Sequence, residues 1–239
     1  MDLSKMDIVY IVREGEHNEE LRHSLRSVAE NVPHRNIVIA GFIPSWVKNV
    51  TAIPVKNTAP KYEQAELNWQ AVCDDPRVSD DFVLFNDDFF VLNPIKAIPV
   101  LHRGSLDEVL KYYEQLRSDY YHDMLRTKEV LQTFGYDGEL YSYALHIPMV
   151  MNKEKRTYVK NLYLERYPYL QKKPIQMRTL YGNFYHLGGI EADDVKVYRG
   201  DMKFNRDQTF LSTDDYTFAT GDVGKFLVGR FNKKCKYEV

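Results

Sequence analysis

The stretch FVLFNDDFFVLNPI, residues 82–95, places three consecutive polar residues, Asn86, Asp87 and Asp88, between two apolar runs. The run that precedes them, DFVLF at 81–85, is short, apolar and partly aromatic, which is typical of a buried strand. Carboxylates left unpaired in so apolar a segment would cost free energy. Either a divalent cation removes that cost, or one aspartate caps the following turn while the other pairs with a lysine or an arginine.

Strands and helices alternate along the first 95 residues. Leu21, Leu25 and Val28 recur at spacings of four and three, which predicts the apolar face of a helix. Strands are predicted at 7–12, 35–41, 50–55 and 81–85, and helices over 17–32 and 61–75. This alternation predicts an α/β fold with an open, Rossmann-type, mainly parallel sheet flanked by helices. Ligands bind such sheets at the carboxyl ends of the strands, so Asn86, Asp87 and Asp88 are expected to face a site.

Length and composition fit a single globular domain spanning 1–239. The chain has 239 residues, of which 44% are hydrophobic and 28% are charged, and this is enough to bury one sizeable core. Its formal net charge of −2 gives no sign of a strongly basic nucleic-acid surface. Cys73 and Cys235 lie far apart in sequence and indicate neither a disulfide framework nor a metal knuckle.

Targeting and motif patterns narrow the class further. The first residues, MDLSKMDIVYIV, lack the basic and long apolar regions of a signal peptide, and no segment approaches the roughly 20 apolar residues of a membrane span. We therefore expect a soluble, cytoplasmic protein. No Gly-x-Gly-x-x-Gly pattern follows the first strand and no Gly-x-Ser-x-Gly elbow appears, which argues against a dinucleotide oxidoreductase and against a serine-elbow hydrolase.

The second half carries a helical, tyrosine-rich insertion over 104–140. Ser105 and Glu108 have the spacing of a capping box that opens a helix. In and just after the insertion, tyrosines occur at 112, 113, 120, 121, 136, 141 and 143. Because aromatic rings stack on sugars and bases, the insertion could cover a bound substrate. The alternative is a helical hairpin that buries one aromatic face.

Four residues of the second half are candidates for chemistry, and each has a structural alternative. His146, in YALHIPM, is either a general base or a hydrogen-bonded structural histidine. His186 precedes two glycines that allow a ligand to approach, and it is either a metal ligand or an ordinary loop residue. Arg178 either clamps a phosphate with its planar guanidinium or forms a surface salt bridge. Asp214, in LSTDDYTF, either supplies a base or metal ligand or caps a helix.

Separated stretches of the chain carry a further pattern. They are MDIVYIVREG (6–15), ELRHSLRSV (20–28) with IPSWVKN (43–49), LFNDDFFVLNPI (84–95), LHIPMVMNKE (145–154) and FLSTDDYTF (210–218). Together they resemble the sequence blocks of the Stealth family of sugar-1-phosphate transferases, which act in bacterial capsule synthesis and include the lysosomal-enzyme GlcNAc-1-phosphotransferase. The first block departs from the family, because Arg13-Glu14-Gly15 stands where Trp-Val-Asp-Gly is usual. The wider resemblance is to nucleotide-sugar glycosyltransferases of the GT-A fold, whose Asp-x-Asp motif also ends a strand and holds a metal on the diphosphate.

The resemblance implies an arrangement of the site. It implies a nucleotide-sugar-binding half at 1–95, an acceptor-side half at 96–239, and Mg²⁺ or Mn²⁺ as cofactor. The metal ligands are predicted to be Asp88 and His186, and the catalytic residues Asp87, His146, Arg178 and Asp214. Substrate binding is assigned to Glu14, Arg22, Asn86, Asp87 and Tyr143.

The predicted function is metal-dependent transfer from a nucleotide-activated sugar. The first hypothesis is transfer of sugar-1-phosphate to a hydroxyl of a glycan acceptor. The second is a GT-A glycosyltransferase that transfers the sugar itself, to a glycan or to a hydroxymethylated DNA base. A third is a noncatalytic module that binds a sugar or a nucleotide.

Overall fold

The computed structural model describes residues 2–15, 17–200 and 203–239. The strands are β1 (Asp7–Val12), β2 (Ile37–Gly41), β3 (Thr51–Pro54), β4 (Asp81–Phe85), β5 (Phe89–Val91), β6 (Leu101–His102), β7 (Met149–Asn152), β8 (Ile190–Glu191) and β9 (Phe210–Ser212). The helices are α1 (Glu19–Asn31), α2 (Lys61–Asp74), α3 (Leu106–Tyr113), α4 (Asp119–Thr133), α5 (Lys153–Arg166), α6 (Met177–Phe184), α7 (Asp215–Thr220) and α8 (Asp222–Arg230).

A five-stranded sheet with the order β3-β2-β1-β4-β7 lies at the centre of the fold. Strands β1 to β4 pair in parallel, and β7 pairs antiparallel with β4. The prediction of a mixed, mainly parallel sheet flanked by helices is confirmed. The predicted strands and helices of the first 95 residues are all present, and they are trimmed by at most two residues at an end.

Alternate residues of each strand face opposite sides of the sheet, and each side is covered by a helix. Ile8, Tyr10 and Val12 of β1 belong to one buried cluster, in which the apolar face of α1 packs on the sheet. Val9 of β1 belongs to a second cluster, to which α2 contributes Val72. Both faces of β1 are therefore buried, which explains why its sequence is apolar from Ile8 to Val12.

The predicted insertion forms helices α3 and α4, which share a separate apolar cluster with α5 and α6. Leu106 of α3, Met124 of α4, Val159 of α5 and Leu180 of α6 meet in one buried cluster. Most of the insertion's tyrosines pack at the edge of this cluster, although Tyr112 is 75% exposed. The hairpin alternative therefore describes most of these rings. The predicted capping box is not formed, since α3 begins after Ser105 but the Ser105 side chain makes no capping hydrogen bond.

The C-terminal part of the described chain packs against residues of the first half. Strand β9 pairs antiparallel with β5, directly after the Asn86–Asp88 turn. Helices α7 and α8 cover this pair with a small apolar cluster. Across the described residues, no helix combines the length and the apolar character that a membrane span requires.

Gly182 of α6 lies where Tyr143 leaves no room for a side chain. A Cβ atom at Gly182 would lie 2.4 Å from the Tyr143 ring, which is fixed because its hydroxyl donates a hydrogen bond to the carbonyl oxygen of Gly188 at 2.8 Å. Alanine usually favours a helix over glycine by about 1 kcal/mol, but overpacking costs about 1–3 kcal/mol. We expect Gly182→Ala to lower the free energy of unfolding by about 1–2 kcal/mol in urea denaturation.

Gly229 of α8 provides the matched control. A Cβ atom there would meet no heavy atom within 4 Å, so Gly229→Ala is expected to raise the free energy of unfolding by up to about 1 kcal/mol. If both substitutions stabilise the protein, the close approach of Tyr143 to α6 is not a constraint.

Candidate active site

A cavity of about 1250 Å³ opens along the carboxyl edge of the parallel strands. The ends of four strands reach it, at Val12 of β1, Gly41 of β2, Pro54 of β3 and Leu84 of β4. Residues of α4 and α6 bound it on the side opposite the sheet. Open parallel sheets bind their ligands at this edge, so the cavity lies where the fold predicts a ligand.

Cations outnumber carboxylates around the cavity. In the described part of the chain the lining cations are Arg13, Lys56, Lys61, Arg156, Arg178 and Lys196, and the lining carboxylates are Glu14, Asp87 and Asp88. Because the chain as a whole has a net charge of −2, positive charge is concentrated at this place. A concave surface with excess positive charge favours an anionic ligand.

Asn86, Asp87 and Asp88 form the turn between β4 and β5. The backbone N–H of Phe89 donates a hydrogen bond of 3.2 Å to the carbonyl oxygen of Asn86. Phe85 and Phe89, on either side of the turn, are buried. The two apolar runs therefore hold the turn in place, and the three polar residues between them line the cavity.

A lysine neutralises one oxygen of Asp88. Lys196 Nζ lies 3.0 Å from Asp88 Oδ2, and Ser212 Oγ lies 3.4 Å from the same oxygen. Asp88 Oδ1 is buried and accepts no hydrogen bond from the described residues. A buried carboxylate oxygen without a partner is costly, so Oδ1 marks a position where a cation or a donor group would be stabilising.

Asp87 and the nearby Glu20 both have a raised pKa. Burial and the charge of Asp88 raise the pKa of Asp87 to about 6. Burial also raises the pKa of Glu20, on α1, to about 8, and a hydrogen bond shared with Asp215 adds to this effect, whereas a hydrogen bond from Thr213 opposes it. Since like charges and burial both disfavour ionisation, a bound cation would lower these pKa values.

Arg178 is a buried guanidinium without an ion-pair partner among the described residues. Its Nη1 donates hydrogen bonds to the backbone carbonyl oxygens of Leu145 at 3.1 Å and Ile147 at 2.5 Å, and its guanidinium carbon lies 5.3 Å from the centre of the Phe89 ring. Nη2 is buried and donates to none of the described residues. Burial lowers the pKa of the guanidinium to about 10. The carbonyl groups therefore hold Arg178 in place while its free N–H groups are available to an anion.

His146 is held by a carboxylate on one side of its ring. Asp194 Oδ2 lies 2.7 Å from His146 Nδ1, and Asp194 Oδ1 accepts the His146 backbone N–H at 3.0 Å. Burial opposes ionisation of Asp194, but the hydrogen bonds from His146 outweigh it and hold the pKa of Asp194 below its usual value. Because the carboxylate accepts from Nδ1, the proton of the neutral ring lies on Nδ1, and Nε2 carries the lone pair that a general base requires.

The opposite end of the cavity, beside β3 and α2, is lined by apolar side chains and by two side-chain amides. The apolar lining residues there include Val55, Ala65 and Trp69. Arg156 lies 4.7 Å over the Trp69 ring and pairs with Glu66, which fixes the indole. The amides are those of Gln64 and Asn68. Apolar walls with a few fixed polar groups suit a planar heterocycle.

Six of the ten predicted site residues line this cavity. They are Glu14, Asn86, Asp87, Asp88, His146 and Arg178. The other four, Arg22, Tyr143, Asp214 and His186, are not among the residues that line it.

Two of these four residues hold the fold together. Arg22 bonds to Glu19 and Glu238, and its guanidinium carbon lies 4.2 Å from the centre of the Trp46 ring. Tyr143 is 3% exposed and packs against α6. Both side chains are occupied by partners within the protein, so neither reaches the cavity.

Asp214 and His186 lie at the ends of helices. Asp214 Oδ1 accepts the backbone N–H of Thr217 at 2.7 Å and caps α7, so the helix-cap alternative describes it, and the next residue, Asp215, lies beside Glu20. His186 follows the end of α6 in a left-handed conformation with φ of 48°. Its ring lies 5.3 Å from that of Tyr136, so the turn after α6 carries it to the insertion instead of to Asp88.

The sequence-based prediction missed Asp194 and Lys196. Both lie in the irregular segment after β8, where no periodic pattern marks them. Lys196 is positioned by a β-bridge to Ser212 of β9. The only signal in the sequence is the general expectation that a buried carboxylate and a buried histidine need partners.

The residues present fit a magnesium or manganese ion that is shared with a phosphate ligand. No group of three or more His, Cys, Asp and Glu side chains within the described ranges is arranged to hold a metal by itself. Mg²⁺, however, is commonly bound by one or two carboxylates together with phosphates and water. Asp87 and Asp88, with the buried and unpartnered Oδ1 of Asp88, provide such a half-site.

The mixed, mainly parallel sheet, its flanking helices and the strand-end cavity are consistent with a fold of the GT-A type. A solved structure with this fold is that of the galactosyltransferase LgtC in complex with donor and acceptor sugar analogues, which superposes with a TM-score of 0.52 over 97% of this chain and 98% of that one. The two sequences are 11% identical, so the likeness is one of fold. No protein-family model matches the chain, and no curated protein matches it. The resemblance to the Stealth family remains a hypothesis.

Proposed function

We propose that this protein is a transferase that uses a nucleotide-activated sugar. The observation that carries the proposal is Arg178, a buried guanidinium with free N–H groups that lines the same strand-end cavity as Asp87 and Asp88. A nucleotide diphosphate-sugar has clustered negative charge at its diphosphate. That charge is complementary to Arg178 and, when a divalent cation is bound, to the two aspartates.

The chain's own residues divide between the two reactants. Arg178 binds the diphosphate and stabilises the negative charge that develops on the leaving phosphate. His146, oriented by Asp194, accepts the proton of the acceptor hydroxyl at Nε2. Mg²⁺ or Mn²⁺ held by Asp87 and Asp88, when bound, would neutralise the diphosphate as a Lewis acid. Glu14 and Asn86 lie at the cavity wall and position the donor.

The reaction we favour is transfer of sugar-1-phosphate. The acceptor hydroxyl attacks the phosphorus that carries the sugar, the phosphoanhydride bond breaks, and a nucleoside monophosphate leaves. The choice rests on the resemblance of the sequence blocks to the Stealth family, because an oriented histidine base and charge stabilisation at the diphosphate serve either reaction. The second candidate is transfer of the sugar, in which the anomeric carbon–oxygen bond breaks and a nucleoside diphosphate leaves. The GT-A-type fold favours that candidate.

The acceptor is proposed to be a hydroxyl of a glycan, with a hydroxymethylated DNA base as the alternative. We propose a cytoplasmic location and a single domain in which 1–95 bind the donor and 96–239 the acceptor. A noncatalytic sugar- or nucleotide-binding module is the competing class. It would bind nucleotides without consuming the donor.

A donor screen tests the proposal. The protein is incubated with a panel of nucleotide-sugars, Mg²⁺ or Mn²⁺ and candidate acceptors, and the nucleoside mono- and diphosphates are resolved by chromatography. We expect release of the monophosphate from one donor class, with Asp88→Asn lowering the rate about 100-fold or more because the cation site is lost. Asp137→Asn, at an exposed loop position, is the matched control and is expected to keep full activity.

The products separate the candidates. Monophosphate release without a coupled phosphatase supports sugar-1-phosphate transfer, and diphosphate release supports glycosyl transfer. Nucleotide binding without turnover of any donor would move the protein to the class of binding modules.

A further inference from the structure

Three groups form a hydrogen-bonded relay at the end of the cavity beside β3 and α2. The backbone N–H of Thr58 donates to Gln64 Oε1 at 2.9 Å. Gln64 Nε2 in turn donates to Asn68 Oδ1 at 3.0 Å. Gln64 is 9% exposed and Asn68 is 2% exposed. Both amides are therefore fixed inside the protein, where their orientation is set by their partners.

The relay determines which end of the Asn68 amide is left free. A backbone N–H can only donate, so Gln64 must present its oxygen to Thr58 and its nitrogen to Asn68. Asn68 then accepts with Oδ1, and its Nδ2 is the remaining group. None of the described residues accepts a hydrogen bond from Nδ2, and Asn68 lines the cavity. The relay thus presents an unpartnered N–H donor from a buried side chain to the cavity.

Gly41 leaves the space that this donor needs. A Cβ atom at Gly41 would lie 2.5 Å from Asn68 Nδ2 and 2.3 Å from the carbonyl oxygen of Val12. Gly41 also has a φ of 103°, a conformation that side chains with a Cβ rarely adopt. The missing side chain at the end of β2 therefore lets the Asn68 amide pack directly against Gly41.

The position of the donor fits the base of a nucleotide. Gly41 ends β2, which is two strands away from β4 and its aspartates, so Nδ2 lies about 10 Å from the diphosphate end by strand spacing. The apolar walls of this part of the cavity include Val55, Ala65 and Trp69. Apolar faces with a hydrogen-bonding edge are the features of a nucleobase.

We propose that Asn68, oriented by Gln64, selects a nucleobase with an oxo group over one with an amino group at the edge where the two kinds of base differ. A fixed N–H group donates a hydrogen bond to the oxo oxygen of a base such as uracil or guanine. Cytosine and adenine have an amino group at that position, and its N–H groups would face the N–H group of Asn68 without a hydrogen bond. A buried donor that faces another donor is left unsatisfied, which makes the discrimination large. This inference rests on the proposed use of a nucleotide-activated sugar and names the class of its nucleotide.

Calorimetric titration of the full chain with UDP, CDP, GDP and ADP in the presence of Mg²⁺ tests it without turnover. We expect UDP to bind about tenfold more tightly than CDP, and GDP more tightly than ADP. Asn68→Asp replaces the donor by an acceptor and is expected to reverse the order. Gln64→Glu keeps the bond from Thr58 but presents a second oxygen to Asn68. The Asn68 amide is then expected to rotate and turn Oδ1 to the cavity, so this variant should also favour the amino bases.

A control and the melting temperature make the outcomes distinct. Gln132→Glu adds the same charge at an exposed position of α4 and is expected to leave the ratio of affinities unchanged. Melting temperatures show whether Asn68→Asp and Gln64→Glu are folded, and one folded variant is enough to test the inference. If the nucleotides bind but the ratio of UDP to CDP affinity does not move in a folded variant, the inference is overturned while the proposed function stands. If no nucleoside diphosphate binds the wild-type chain, both fail.

Discussion

Arg178→Met is expected to lower kcat about 10³-fold with the preferred donor. The guanidinium is buried and its Nη2 lacks a partner in the described structure, so a bound diphosphate would take those N–H groups. Removing one preorganised donor to developing negative charge commonly costs 10²–10³-fold in rate. The hydrogen-bond donor removed here, the Arg178 guanidinium, also carries a full positive charge in a site shielded from water, so we expect an effect at the upper end of that range. Steady-state kinetics with quantified donor consumption measure it.

One further variant separates the charge of Arg178 from its geometry, and a second serves as the control. Arg178→Lys keeps the positive charge but loses the planar fork, so we expect a loss intermediate between wild type and Arg178→Met. Arg166→Met removes an exposed arginine of α5 and is expected to leave kcat unchanged. Arg178 also bonds the carbonyl oxygens of Leu145 and Ile147, so each variant needs a melting curve. If Arg178→Met is folded and its kcat lies within tenfold of wild type, Arg178 does not stabilise the leaving phosphate.

The first half of the fold was predictable because its signals are local. The apolar runs in β1, β2 and β4 are buried on both faces, so these runs are unbroken. Helix α1 shows a clear apolar face, whereas α2 turns Gln64 and Asn68 inward together with Val72. The placement of Asp87 and Asp88 in the cavity follows from the same logic. Parallel strands bring their carboxyl ends to one edge, and a polar residue directly after a strand must lie there.

The rest of the candidate site depends on contacts that sequence spacing does not encode. Asp194 reaches His146 across 48 residues, and Lys196 reaches Asp88 across 108. The sequence prediction places Arg22 in substrate binding, but its guanidinium contacts Glu238 and the Trp46 ring instead. Asp214 and Asp215 are neighbours in sequence, yet the capping geometry of α7 takes one of them and leaves the other beside Glu20. Their positions in the sequence therefore do not show which of the two aspartates caps the helix.

Glu238→Gln is expected to lower the free energy of unfolding by about 3 kcal/mol at pH 7. The Glu238 carboxylate has no exposed surface and accepts a bidentate pair from Arg26, at 2.7 Å to each oxygen. Arg22 and the backbone N–H of Cys235 also donate to it. Removing one partner of a buried ion pair costs about 3–5 kcal/mol, because the remaining charge is left buried. Glutamine keeps the shape and one acceptor, which places the loss at the lower end.

The dependence on pH identifies the cause of this stabilisation. Burial opposes ionisation of Glu238, but the hydrogen bonds from Arg26 and Cys235 outweigh it and lower its pKa to about 2, from the ordinary value of 4.5. A carboxyl whose pKa is lower in the folded state stabilises the protein above the unfolded pKa and loses that effect as the pH falls through the folded one. The difference in unfolding free energy between wild type and Glu238→Gln should therefore shrink between about pH 4.5 and pH 2. Urea denaturation at several pH values measures it, with the exposed Glu165→Gln as the control that stays within about 0.5 kcal/mol of wild type throughout. A difference that stays constant down to pH 2 would mean that packing, and not the charge of Glu238, holds residues 235–239 against α1.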